Sequence, residues 1–495
     1  MLIKIVDSLQ QHATKLAFCI HNREYTYGDL ATCVSGIRGL LRKERPTGHF
    51  IGLLAYDAIE TYAAIIAIWL EGRAFVPLSP KSPEDRHRNI LAQVDSHCIM
   101  SVEPVKGFSS GEKPIRVLAT KGLRSEELLL DIPPLAEDQI VSMLFTSGST
   151  GLPKGVPYTL KNINSTLDAF FALDYHLTPK DRFLQMFELT FDMSMLSYLP
   201  PLCIGASVFT LGQSGMKYLQ VYQLLQEQQL TFAAMVPSTL NLLRPYFSQI
   251  HLPHLRLVLL GGEPFYLDLA MEWFDCIPNA RLINISGPCE TTMACVGYEV
   301  KRERSENKAL HQILAFGRPW KNTAVLIVDE QLQPVGLEAT GELCFAGDHV
   351  MQGYWQMSER NQQIFFEREV DGQMLRFYRS GDMAYLDDEG DLYSCGRKDH
   401  QYKIQGYKVE LGEIEQVAMQ WTKGIPVAVV VKRLNNGLLE IHLLVEQQGV
   451  EEAELKAYLQ GKLPPYMIPK SIRGLAVFPR TLSGKIDRWA ISKTQ

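Results

Sequence analysis

Residues Thr146–Gly155 read Thr-Ser-Gly-Ser-Thr-Gly-Leu-Pro-Lys-Gly and follow an apolar run, Ile140–Phe145. No other stretch limits the folds open to the chain as strongly. The apolar run has the length and composition of a buried strand, so the loop is delivered from the end of a sheet. Its three glycines let backbone N–H groups come close to anionic oxygens, its four hydroxyls add donors, and Lys154 adds a positive charge. Such a loop is suited to holding polyphosphate. It is not a Walker loop, which needs Gly-Lys-Ser/Thr; here Pro153 precedes Lys154 and Gly155-Val156 follow. A Ser/Gly-rich linker is the competing reading, and a Pro-Lys-Gly-Val ending directly after an apolar strand argues against it.

The chain has 495 residues, too many for one ordinary core, and the length suggests roughly two to four domains. A net charge of −6 without a basic block points away from nucleic acid and from anionic membrane surfaces. The nine cysteines are scattered and form no C-x-x-C pair, so buried free thiols in a reducing compartment are expected rather than disulfides or zinc. The N-terminus, Met-Leu-Ile-Lys-Ile-Val-Asp, lacks the basic and apolar regions of a signal peptide. The longest apolar stretch, Tyr62–Leu70, is about half a membrane span. A cytoplasmic location is expected.

Strand-like and helix-like patterns alternate through the first 390 or so residues: Phe50–Tyr56, Phe75–Leu78 and Arg256–Leu260 as strands, Ile59–Glu71 as a helix. Alternation of this kind predicts an α/β domain with largely parallel sheet. Near residue 397 the pattern changes. Ile425–Arg433 and Leu438–Glu446 read as two strands joined across Asn435-Asn436-Gly437, and Glu451–Leu463 reads as a helix stopped by Pro464-Pro465.

Further motifs punctuate the chain. Tyr378-Arg379-Ser380-Gly381-Asp382 places a carboxylate after a glycine turn, where its two oxygens suit a sugar diol. Gly396-Arg397-Lys398-Asp399-His400-Gln401-Tyr402-Lys403-Ile404-Gln405-Gly406-Tyr407-Lys408-Val409-Glu410 runs on into Leu411-Gly412-Glu413-Ile414-Glu415. Arg480-Thr481-Leu482-Ser483-Gly484-Lys485-Ile486-Asp487-Arg488 lies close to the C-terminus. Together with Thr146–Gly155, these motifs and their order closely resemble the adenylate-forming (AMP-dependent synthetase and ligase) superfamily, from about residue 25 to residue 488. The resemblance implies an α/β fold. Residues 1–396 would form a large domain of α/β subdomains with largely parallel sheets, 397–399 a hinge pivoting at Asp399, and 400–495 a small mobile α+β domain.

By the same resemblance, MgATP is held by Thr146, Ser147, Gly148, Ser149, Thr150, Gly151 and Lys154, with Asp382 on the ribose hydroxyls and Arg397 near the nucleotide. Lys485 is the catalytic lysine between substrate carboxylate and nucleotide. Lys403–Gly406 moves to the active site in a second half-reaction, and Lys408 stands where the family usually has Arg. A further nucleotide segment, Asn284, Ile285, Ser286, Gly287, Pro288, Cys289 and Glu290, departs from the family's Asn-x-Tyr-Gly-Pro-Thr-Glu. Glu290 keeps the Mg²⁺ ligand. Ser286 replaces the adenine-stacking tyrosine, a loss of ~1–3 kcal/mol of stacking. Cys289 replaces a hydroxyl donor worth ~0.5–1.5 kcal/mol.

The substrate is indicated by Phe191-Asp192-Met193-Ser194, which resembles amino-acid adenylation domains and stand-alone D-alanine–carrier-protein ligases. There Asp192 would pair with an α-ammonium group, and in apolar surroundings a carboxylate needs such a cation. An Asp at a helix N-cap is the competing reading. Local alignment puts Met193, Leu196, Met235, Leu259, Gly261, Ile285, Met293 and Ala294 in the pocket, with no second charge. A small or medium apolar amino acid is expected; D-alanine, a branched aliphatic amino acid and a β-amino acid remain open. No carrier module is recognised, so transfer to the phosphopantetheine thiol of a separate carrier protein is expected. The alternatives are an acyl-CoA synthetase of the same superfamily and a non-catalytic homologue acting as a scaffold.

Overall fold

The computed structural model describes residues 1–105, 115–148, 152–212, 215–398, 401–434, 436–480, 486 and 488–493. Backbone contacts divide the chain into two compact units. The first is Met1–Pro80, Val94–Leu144 and Gly155–Lys398; the second is Lys81–Gln93, Phe145–Lys154 and Asp399–Gln495. The segment Phe145–Lys154 thus groups with the C-terminal segment. Among the described residues no helix is long and apolar enough to cross a membrane.

Two sheets dominate the first unit. One has nine strands, in the order Arg318–Pro319, Val296–Val300, Arg281–Ser286, Leu257–Gly261, Phe232–Met235, Arg182–Gln185, Ser207–Thr210, Leu16–Ile20 and Arg23–Thr26. Its inner strands are mutually parallel, and Val296–Val300, Arg318–Pro319 and Arg23–Thr26 run antiparallel at the edges. The other has six strands, with Phe50–Leu54 and Ala74–Leu78 parallel at its centre. The expected parallel α/β character is therefore present. Helices fill the space between strands as apolar periodicity demands. In Ile59–Leu70, 11 of 12 side chains are buried, so this helix is apolar on all faces and lies in the core.

A third sheet was not legible in the alternating pattern. Ala324–Val328, Gly341–Ala346, Phe365–Val370, Gln373–Leu386 and Leu392–Arg397 form an antiparallel five-stranded sheet. Hairpin connections replace crossover helices here, so the α/β alternation ends well before residue 390.

In the second unit, Val427–Arg433 and Leu439–Val445 pair antiparallel, as the hairpin signal predicts, and Ser471–Gly474 adds in parallel. Helices Leu411–Trp421 and Glu452–Gln460 pack on these strands around Ile414, Val429, Leu443, Leu455 and Leu459. Before them a hairpin, Gln401–Ile404 with Tyr407–Glu410, turns through Gln405 (φ 50°) and Gly406 (φ 82°). Two successive positive φ values define the type I′ turn that suits the twist of paired strands. All nine cysteines are free: seven are buried, Cys289 is half-buried and Cys395 exposed.

Candidate active site

The carboxyl ends of the parallel strands Phe232–Met235, Leu257–Gly261 and Arg281–Ser286 lie side by side, with Met235 opposite Leu260 and Gly261 opposite Ile285. In open α/β sheets ligands bind beyond such ends. Gly261 is needed there: a Cβ would stand 2.7 Å from the Ile285 carbonyl oxygen. Leu259, Ile285, Met193, Leu196, Met293 and Ala294 share one apolar core. Met235 does not join them. Strand alternation turns it to the opposite face, into the core of Leu240, Phe265 and Trp273. Phe265 is likewise buried in that core, at 1% exposure.

Beyond Ser286 the chain makes a ledge of half-buried residues, Gly287, Pro288 and Cys289, and then buries Glu290 completely in the short turn Cys289–Thr291. Gly287 admits the return of the chain, since a Cβ would stand 2.8 Å from the Ala294 Cα. Thr292 and Met293 follow with φ of 56° and 75°. Consecutive left-handed residues other than glycine are strained and persist only where neighbours hold them. Here the Thr292 hydroxyl donates to the His349 carbonyl at 2.7 Å, and the Thr292 carbonyl accepts from the Thr166 hydroxyl at 3.0 Å. Asn284, aligned with nucleotide binding, spends its side-chain amide on the Ala315 carbonyl at 2.8 Å.

Glu290 is held from several sides. Its carbonyl accepts the Met351 N–H at 2.9 Å, and its Oε1 accepts the Tyr354 hydroxyl at 2.5 Å. Tyr158 fixes the preceding peptide: its hydroxyl donates to the Cys289 carbonyl at 2.8 Å and lies 3.1 Å from the Cys289 Sγ. Burial, reinforced by the neighbouring Cys289, Asp192 and Glu290, pushes the Tyr158 phenol well above its ordinary range. Asp192 opens the helix Asp192–Ile204 with Phe191, rather than Asp192, at the N-cap. It is half-buried, and its Oδ1 accepts the Met193 N–H at 2.8 Å.

On the other side of Glu290, Tyr354 and Tyr378 are hydrogen-bonded. Burial raises both phenols, and Glu290 adds to each shift. Tyr378 also senses Arg397 and Asp382. Arg397 donates to Asp382 Oδ1 at 2.6 Å and to the Ser380 carbonyl at 3.2 Å. Among the described residues the other Asp382 oxygen takes no hydrogen bond. Hydrogen bonds join Tyr158 to Cys289, Glu290 to Tyr354 and Arg397 to Asp382, and Tyr354 to Tyr378. Sequence reasoning named Asp192, Cys289, Glu290, Arg397 and Asp382 as candidates but did not single out Tyr158 and gave Tyr354 and Tyr378 no role; the signal for the two last was adjacency to quoted motifs.

In the second unit, Thr146 ends the strand Ile140–Thr146, and its hydroxyl oxygen is buried with no partner among the described residues. The Ser147 hydroxyl donates to the Lys408 carbonyl at 2.8 Å, the Gly148 N–H to Glu413 Oε2 at 3.1 Å, and Lys154 to Glu410 Oε1 at 2.5 Å. Only glycine fits at 148, where a Cβ would meet the Leu152 carbonyl oxygen. Ser149, Thr150, Gly151, Asp399 and Lys485 lie outside the described residues.

No group of three or more His, Cys, Asp or Glu side chains among the described residues forms a ready-made metal cage. Glu290, one buried carboxylate oriented by a tyrosine, instead fits the way Mg²⁺ is held, by one or two carboxylates plus substrate phosphates and water.

A family described as AMP-binding enzyme matches residues 6–355. The chain belongs to that family. Tyrocidine synthase 1 of Brevibacillus parabrevis is 30% identical over 488 residues, which cover 96% of this chain and 43% of that protein. Delta-poly-L-ornithine synthetase of Acinetobacter baumannii (strain AB307-0294) is also 30% identical, over 96% of this chain and 35% of its own length. The chain thus spans less than half of either relative. Among solved structures, holo-PA1221, an NRPS protein containing adenylation and PCP domains, superposes with a TM-score of 0.86 at 25% identity, covering 100% of this chain and 84% of that one. Holo-AB3403, a four-domain nonribosomal peptide synthetase bound to AMP and glycine, gives a TM-score of 0.70 at 28% identity over 99% of this chain and 36% of that one. The fold is that of adenylation domains.

Proposed function

We propose that the chain activates an apolar amino acid with ATP as its aminoacyl adenylate and passes the aminoacyl group to the phosphopantetheine thiol of a carrier protein. The observation that carries this reading is the half-buried carboxylate of Asp192 at the start of the helix Asp192–Ile204, whose next residues Met193 and Leu196 belong to an apolar core with Leu259 and Ile285. A carboxylate next to apolar side chains suits a cationic ligand. An α-ammonium group meets that need, and fatty or aryl acids have none. The AMP and glycine carried by holo-AB3403 and the PCP domain of PA1221 support the same reading.

In the first half-reaction a substrate carboxylate oxygen attacks the α-phosphorus of ATP, the bond to the bridging oxygen breaks, and pyrophosphate leaves. The protein supplies position and charge. Asp192 holds the ammonium. Thr146, Ser147, Gly148 and Lys154, together with Ser149, Thr150 and Gly151, hold the phosphates. Asp382, steadied by Arg397, accepts from the ribose. Ser286, Gly287, Pro288 and Cys289 border the base. Lys485 neutralises charge between carboxylate and nucleotide. Mg²⁺ on Glu290 would offset the charge of the phosphate oxygens. In the second half-reaction the thiol attacks the acyl carbon and AMP leaves, after residues 400–495 turn about Asp399 against residues 1–396.

ATP–pyrophosphate exchange across D-, L- and β-amino acids tests the reading and selects among D-alanine, branched aliphatic and β-amino substrates. A best substrate without an amino group overturns it in favour of acyl-CoA synthesis. No exchange and no ATP binding overturn it in favour of a scaffold.

A further inference from the structure

The phosphate loop is engaged by carboxylates of the protein itself. Lys154, 6% exposed, pairs with Glu410, 8% exposed, at 2.5 Å. Gln401 Nε2 steadies the same Glu410 oxygen at 3.0 Å. The Gly148 N–H donates to one oxygen of Glu413, and Arg86 binds the other at 2.7 Å. Glu413 is fully buried at the start of the helix Leu411–Trp421. Ser147 completes the set through the Lys408 carbonyl. Each of these is a group that a polyphosphate would use: an ammonium, a loop N–H, a hydroxyl and, beside them, a guanidinium. The oxygens named here all come from Lys408–Glu413.

Such an arrangement is stable only as a whole. A buried carboxylate is costly without its cation, so Glu410 cannot stay buried once Lys154 turns to another anion, whereas Glu413 keeps Arg86 and loses the Gly148 N–H. A phosphate brought to Lys154 would stand beside the Glu410 carboxylate, 2.5 Å from the same ammonium, and the like charges would repel.

We propose that Glu410 and Glu413 are positioning residues that act as internal stand-ins for the substrate's phosphates. They occupy the loop whenever pyrophosphate or the β- and γ-phosphates of ATP do not, and they oppose rebinding of pyrophosphate after it leaves. The inference rests on the phosphate-loop role given above and adds a residue-level reason why pyrophosphate release is coupled to movement of Gln401–Trp421. Like charges cannot share Lys154, so the loop's two occupants exclude one another.

Titration calorimetry with inorganic pyrophosphate and Mg²⁺ tests this on the full chain. Glu410→Gln keeps the shape but frees Lys154, and pyrophosphate should bind at least fivefold more tightly than to the wild type. Glu413→Gln should tighten it in the same direction. Glu415→Gln is the control, because Glu415 lies on the same helix but pairs with Arg488 and the Val429 N–H; its affinity should stay within twofold. General damage to the fold does not raise affinity, so a gain separates this role from a structural one. Hydrogen exchange of the wild type gives a readout without any variant: pyrophosphate should slow exchange in 144–155 and speed it in 401–421. Unchanged or weaker binding by both Gln variants, or joint protection of both segments, overturns the proposal while leaving the phosphate-loop role intact. No pyrophosphate or ATP binding by the wild type overturns that role, and this inference with it.

Discussion

A carboxylate at the first position of a helix needs no ligand to be favourable, because the helix dipole and the Met193 N–H already reward Asp192. What separates a ligand-binding Asp from a helix-starting one is the need for full charge. Asp192→Asn keeps the shape and an acceptor but loses the ion pair. We expect the amino-acid KM to rise at least about tenfold, ~1.4 kcal/mol, with the ATP KM nearly unchanged. An amino-acid KM within about twofold of wild type would mark Asp192 as structural. Asp192 could be read from sequence because Phe-Asp-x-Ser is local. Tyr158 could not, because its hydroxyl meets Cys289 across 131 positions of chain.

His349 carries a consequence at the same scale. Burial holds its imidazole down at about 4, from an ordinary 6.5, and its Nε2 has no partner among the described residues. The unfolded chain therefore binds a proton between those values that the folded chain refuses. Stability attributable to His349 is whole above about pH 6.5 and is lost as pH falls toward 4. His349→Gln, which cannot titrate, should lose about 2–3 kcal/mol less stability than wild type between pH 7 and 4.5. Parallel stability curves for the two proteins, from denaturant titrations at each pH, would refute it.

At the scale of elements, the site depends on how closely the strands Leu257–Gly261 and Arg281–Ser286 approach. Gly261→Ala sets a Cβ 2.7 Å from a backbone oxygen and 2.8 Å from the Ile285 side chain, and no rotamer change relieves the first. Overpacking of this kind costs about 1–3 kcal/mol. We expect a lower midpoint of thermal unfolding together with a raised amino-acid KM; a normal Tm and KM would show the strands free to separate. The parallel strands were readable because a strand buried on both faces is a continuous apolar run. The antiparallel sheet of Ala324–Arg397 was not, because its strands mix polar and apolar residues: Phe365–Val370 alternates half-buried and exposed positions along most of its length. The left-handed pair Thr292-Met293 has no sequence signal at all, since neither residue favours that conformation.

For the molecule as a whole, the proposed function asks one chain to serve two reactions. Asp399→Pro fixes φ near −65° and removes a donor at the proposed pivot. We expect pyrophosphate exchange to persist while loading of a carrier protein falls at least tenfold. Equal loss of both activities would show that residue 399 is not a pivot. The strand–helix pattern changes near residue 397, and the chain passes from the first unit to the second at Lys398–Asp399. The grouping of Lys81–Gln93 and Phe145–Lys154 with the C-terminal segment was not legible in the sequence, because it is made by Arg86–Glu413, Lys154–Glu410 and Asp85–Lys462, pairs far apart in sequence.

The distribution of thiols has a use of its own. Burial pushes Cys98 and Cys203 up to about 11 and Cys33 and Cys276 to about 12, so these sulfurs are inert at neutral pH. Alkylating reagents are left two addresses, exposed Cys395 and half-buried Cys289. The second adjoins Glu290 and touches Tyr158. With Cys395 replaced by serine, one fluorophore or one mass tag on the native chain reports occupancy of the candidate active site, with no cysteine introduced.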